Sequence, residues 1–190
     1  MIPENHMFSQ AELDLLLSAK GKTLRTIDAA IVARDDFAWN TVRLHFDGLN
    51  LDVNNRLGEI DVDELGTLEE FGLLSISQGA TERLALAEVS VGITVISVDS
   101  PVNEIEVVVD NAEVFGDGRR VASLAYPQAV IFHCADDVIV LDKEVWFSEM
   151  IAVKRGETDE GLVYDDGVNW EDDPEDPSTH YEFTQHRLVL

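Results

Sequence analysis

One cysteine, Cys134, stands in a chain of 190 residues. No internal disulfide can form, which suits a reducing compartment. Basic residues are also scarce. Thirteen Lys and Arg, only four of them Lys, face thirty-eight Asp and Glu, for a net charge of −25. A polyanion repels nucleic acid and anionic membrane, so neither is expected as a partner, and basic proteins are favoured. Long apolar runs are missing. The longest uncharged stretch, Val121 to Ala135, contains Pro127, Gln128 and His133, and is too short and too polar to span a bilayer. The opening MIPENHMFSQ has neither the basic nor the apolar region of a secretory leader. The expectation is a cytoplasmic protein. Catalytic signatures are absent as well: the sequence holds no HExxH, CxxC, G-x-S-x-G, Walker loop or G-x-G-x-x-G. No metal, no cofactor and no enzymatic activity are expected.

What is present is enough for a core. A chain of this size buries roughly 70% of its unfolded surface on folding, and its 45% apolar content is ordinary. Ser9 with Glu12 forms a capping box ahead of Leu13, Leu16 and Leu17, so Ser9 to Gly21 reads as a helix. "GKTLRTID" at 21–28 then matches "GITVISVD" at 92–99 in its Gly, Thr and Asp. At the same offset Leu13 and Leu15 fall on Leu84 and Leu86, which makes Thr81 to Val91 a second candidate helix. Each copy runs on into a hairpin, "TVRLHFDGLNLDV" at 41–53 and "AVIFHCADDVIVLD" at 129–142, in which His45 and His133 line up. Asp47-Gly48 is a strong hairpin turn, and Gly116-Asp117-Gly118 marks another. Further strands are expected at Glu59–Val62, Ile105–Val109, Met150–Lys154 and the C-terminal "HYEFTQHRLVL". Asp63–Phe71 reads as a loop or short helix.

The expected fold class is therefore α+β: a mainly antiparallel sheet built from two tandem helix–strand–hairpin repeats, with the helices on one face. Residues 1–78 form the first repeat, 79–155 the second, and 156–190 an acidic segment with a C-terminal strand, all within one globular domain. The order "LHFDG-x-x-LDVNNRL", a second "F-x-x-x-D-x-V" and then "VWFSEMIAVKRG" resembles small bacterial two-repeat proteins. Some of these look like immunity partners of polymorphic toxins. The resemblance covers roughly residues 13–156 and implies a toxin-neutralising protein, with no catalytic residues to carry over. The insert before Ala129 and the extension after Gly156 depart from that pattern.

Three sets of residues are candidates for function. His45 and His133 could face each other across the repeat interface in a small enzyme, or each could be a half-buried strand histidine with its own partner. Cys134 follows His133 directly, and strand neighbours point to opposite faces, so the two cannot act as a dyad. The third set is the acidic run. Between Glu157 and Pro177 there are ten carboxylates and no base. Asp165, Asp166, Glu171, Asp172, Asp173, Glu175 and Asp176 could face Lys or Arg on a partner, with Tyr164 and Trp170 as aromatic anchors. The expected function is a non-enzymatic inhibitor of a basic toxin enzyme. A nucleic-acid mimic is the alternative, and an acidic surface that serves only solubility is the plainest reading.

Overall fold

The computed structural model describes residues 4–31, 36–62, 66–84, 92–143, 145–164, 167 and 178–190. Its elements in chain order are β1 (Glu4–Asn5), α1 (Gln10–Leu17), β2 (Thr23–Ile31), β3 (Phe37–Phe46), β4 (Leu49–Val62) and β5 (Gly66–Gln78). They continue with β6 (Thr94–Gly116), β7 (Arg119–Cys134), β8 (Val138–Lys143), β9 (Met150–Gly156) and β10 (Thr179–Val189). The strands form one sheet, antiparallel except where β1 meets β7. Following the pairings β6–β7–β8–β9–β3–β2 and back to β6 returns to the start, so six strands close a barrel. The β4–β5 hairpin extends from β3, and β10 lies along the outer half of β6.

The α+β expectation, with helices on one face of two repeats, is corrected here. Among the described residues α1 is the one helix. Thr81–Leu84, expected to open a second helix, is an irregular strap, and the rest of that expected helix, residues 85–91, lies outside the described residues. Thr81–Leu84 are held by polar contacts described below. Phe71 and the residues from Gly66, expected as loop or short helix, belong to β5. The matched segments 21–28 and 92–99 pair with one another antiparallel, Ile27 opposite Ile96 and Asp28 opposite Val95. Their paired aspartates differ in role: Asp28 is fully buried, whereas Asp99 sits at φ 52° in a bulge.

Local chemistry explains the parts that were foreseen. The Ser9–Glu12 capping box is made, with Ser9 N donating to Glu12 Oε2 at 2.8 Å. Asp47–Gly48 and Asp117–Gly118 connect β3 to β4 and β6 to β7; Asp117 and Gly118 both adopt the positive φ of a type I′ turn, whereas in the first turn only Gly48 does. Alternation along the strands then sorts the side chains. Ile27, Val42, Leu44, Val107, Val130, Phe132, Leu141 and Val153 fill the barrel, where Leu16 of α1 and Leu51, Val53 and Ile76 of the β4–β5 hairpin join them. Each such large side chain contributes about 1.5–3 kcal/mol of burial. A second cluster, with Ile60, Phe71, Val114, Leu124 and Tyr126, joins the β4–β5 and β6–β7 hairpins beyond the barrel. A third lies outside the wall: Val108, Ile131, Val138 and Val140 are covered by Leu162 and Val163.

No helix among the described residues is long and apolar enough to cross a membrane.

Candidate functional site

The polar chemistry of this fold lies on the outer wall of the barrel, in three places. The first is the strap 79–84. Asp28 follows the inward Ile27, so its carboxylate points outward, where it accepts from Arg83 Nη1 at 3.0 Å and from Leu84 N at 3.3 Å. Arg43 holds Asp52 through two bonds of 2.6 and 2.7 Å and donates to Glu82 O at 2.8 Å. Asn50 Nδ2 donates to Ala80 O, which turns Asn50 Oδ1 toward His45 Nδ1 at 3.1 Å. His45 Nε2 lies 3.1 Å from Asp28 Oδ2, close enough for an ion pair but without hydrogen-bond alignment. Beside it is an open depression of about 420 Å³, lined by His45, Asn50, Gln78, Gly79 and Thr81 among others.

The second place is the seam between β6, β7 and β10. His133 Nε2 meets Glu106 Oε1 at 3.0 Å, and Glu106 Oε2 accepts from Arg187 Nη1 at 3.2 Å. Arg187 also pairs with Asp159. Burial works against the charge of Arg187, but Asp159 and Glu106 together keep its pKa raised. Burial likewise pushes the Asp159 carboxyl up, and the bond and charge of Arg187 more than offset that, holding it below the ordinary range.

The third place anchors the acidic run. Asp142 is fully buried and accepts from Gln128 Nε2 (2.9 Å), Lys154 Nζ (2.9 Å) and the backbone N–H of Tyr164 (2.7 Å). Burial raises its pKa, and the cationic Lys154 offsets part of that rise. Lys154 also donates to Leu162 O at 2.6 Å. Gln185 of β10 donates to Tyr164 O at 3.3 Å. At the far end of the run, Asp117 N donates to Ser178 O at 3.0 Å. The described residues that flank the acidic run, a half-buried Tyr164 and Ser178, are thus both held by the fold, Tyr164 at Asp142 and Ser178 at the β6–β7 turn. Asp165, Asp166, Trp170, Glu171, Asp172, Asp173, Glu175 and Asp176 lie outside the described residues.

His45 and His133 are not brought together. They stand on β3 and β7 with β8 and β9 between them, each against its own carboxylate, and His133 does not line the depression beside His45. Cys134 faces the barrel core while His133 faces out, as alternation requires. Burial pushes its thiol up to about 11. Asp28, Asp142 and the Glu106–Arg187–Asp159 chain were missed from sequence. The available signal was a single carboxylate inside an apolar strand, "TIDAAI" and "VIVLDK".

Among the described residues, most of the bases are occupied at home. Arg25, Arg43, Arg83, Arg120, Lys154, Arg155 and Arg187 hold carboxylates of this chain. Lys20, Lys22 and the buried Lys143 donate to backbone carbonyls. Comparison with protein-family models, with curated proteins and with solved structures finds no match for this chain.

Proposed function

We propose that this protein is a non-enzymatic acidic binder that neutralises a basic protein partner, in the manner of an immunity protein covering a toxin enzyme. The observation that carries this reading is the internal use of its cations. Because the named Lys and Arg side chains are spent on this chain's own carboxylates and carbonyls, the surplus of twenty-five negative charges falls to the remaining acids. The densest run of these is the segment between Glu157 and Asp176. The residues on either side of it, Tyr164 and Ser178, are bonded to Asp142 and to the β6–β7 turn. Charge of this kind speeds encounter with a basic surface and rejects acidic competitors, while aromatic anchors such as Tyr164 and Trp170 slow release.

The test is co-expression with the products of neighbouring genes, followed by affinity measurement across a salt series. A basic neighbour should bind, and binding should weaken as salt rises, because exposed charges are screened beyond about 8 Å at physiological ionic strength. Reversing Asp165, Asp166, Asp172 and Asp173 to Lys should weaken it at least tenfold, roughly 1.4 kcal/mol or more. Absence of any bound neighbour, or an unchanged affinity and salt slope in the reversed variant, would refute the proposal.

A further inference from the structure

The seam between β6 and β7 holds an arrangement that plays no part in the reading above. Glu104 and Glu106 lie two residues apart on one face of β6, and His133 of β7 is the register partner of Glu104. One carboxylate oxygen from each Glu and one imidazole nitrogen lie within 4.8 Å of one another. The geometry points to a divalent transition-metal site formed by Glu104, Glu106 and His133, with zinc the best-suited ion.

The donor chemistry fits. Zinc takes imidazole nitrogen and carboxylate oxygen at about 2.0–2.2 Å, and donors on a tetrahedral shell of that size sit about 3.3 Å apart. Glu106 Oε1 and His133 Nε2 are already 3.0 Å apart. Glu104 is partly exposed, so its side chain can swing in, which leaves a fourth position for water. The ligands stand on paired strands, so the backbone holds their spacing.

The charge fits too. Arg187 pairs with Glu106 and Asp159, and Glu104 adds a third carboxylate beside Glu106, so the carboxylates outnumber the one guanidinium by two. A divalent ion balances them. Arg187 occupies Oε2 of Glu106, which orients the carboxylate and leaves Oε1 for the metal, the usual office of an outer-shell partner. The net charge of the chain raises the local concentration of any cation. The site escapes sequence motifs because its ligands, at 104, 106 and 133, meet only through strand register.

The experiment uses the full chain stripped with chelator and titrated with Zn²⁺ by calorimetry and with Co²⁺ by visible absorption. One ion per chain should bind, with the intense d–d bands of four-coordinate cobalt and a shift of the His133 ring resonances in NMR spectra. Glu104→Gln and His133→Ala should each weaken binding at least about tenfold. His180→Ala, at an exposed imidazole, should leave it unchanged. Equal zinc affinity in wild type and in Glu104→Gln would mean that the acidic run merely collects cations, and would overturn the site. No binding, or equal binding of Mg²⁺, would overturn it as well. Should His133→Ala fail to fold, the Glu104→Gln variant, at a partly exposed side chain, decides alone. The charge-reversed variant described above keeps all three ligands, so this test and that of the proposed function fail separately.

Discussion

Gly72→Ala is the sharpest test of how the second core is assembled. A Cβ on Gly72 would lie 2.5 Å from Ser148 O, 3.1 Å from Trp146 O and 3.1 Å from Asn55 Oδ1. Two of these are backbone atoms, so the neighbours cannot simply rotate away. The loop 145–149 must lift from β5. Lifting it breaks the bond from Gly72 N to Trp146 O and the bond from Asn55 Nδ2 to Ser148 O at 2.8 Å. It also disturbs the stacking of Trp146 on Phe71, whose centroids are 5.8 Å apart. Overpacking costs about 1–3 kcal/mol, and each lost hydrogen bond adds about 1 kcal/mol. The expected loss is roughly 3–5 kcal/mol, near 10 °C in Tm for a chain of this length. Urea unfolding followed by tryptophan fluorescence reads it directly. Gly92→Ala is the control: nothing lies within 4 Å of its Cβ and its φ is not positive, so its effect should be small. A Gly72→Ala variant that loses less than about 1 kcal/mol would refute the close seating of this loop on β5.

Three further outcomes follow from the same contacts. Asp52→Asn removes one oxygen and the charge from the two-bond grip on Arg43, and should cost about 2 kcal/mol in urea unfolding, with faster hydrogen exchange along 79–84. The Cys134 thiol should resist alkylation at pH 8 and react only on unfolding, since burial holds it near 11. Stability should fall as acid is added. Asp47 and Asp137 are held below the ordinary 3.8 by bonds from Arg25 and Arg155, so their contribution is whole above that value and is lost as pH drops through their lowered folded values. Arg155→Ala should flatten this acid limb; an unchanged limb would contradict the assignment. Asp142 acts in the opposite sense: its contribution is greatest at acid pH and shrinks as pH rises through its raised folded value.

Local chemistry was legible in the sequence and closure was not. The capping box, the two Asp-Gly turns and the alternation of "TVRLHF" are written in adjacent residues, and each formed where its chemistry placed it. The barrel depends on pairings between distant segments, β2 with β6 and β3 with β9, which no local pattern encodes. The start of the expected helix Thr81–Val91 was misread for a related reason: Asp28, on a distant strand, takes the N–H of Leu84 and the guanidinium of Arg83. Gly66–Phe71 was misread because Glu69, Glu70 and Gly72 look like loop residues when the pairing with β4 is unseen. Of the candidate site, the density of carboxylates was visible at once. The anchors at its two ends, Asp142 under Tyr164 and the turn at Asp117, needed the fold.

Glu12 has a second duty beyond the helix it caps. One oxygen serves Ser9; the other accepts the N–H of Ile76 at 3.0 Å, on the unpaired side of β5. Gly72 N, four residues earlier on the same strand, is taken by Trp146 O. A strand rim of this length is otherwise a template on which another chain can grow. An eight-residue helix too short to persist alone therefore works as a stopper, and its loss would open that rim to another chain as well as take Leu16 from the core.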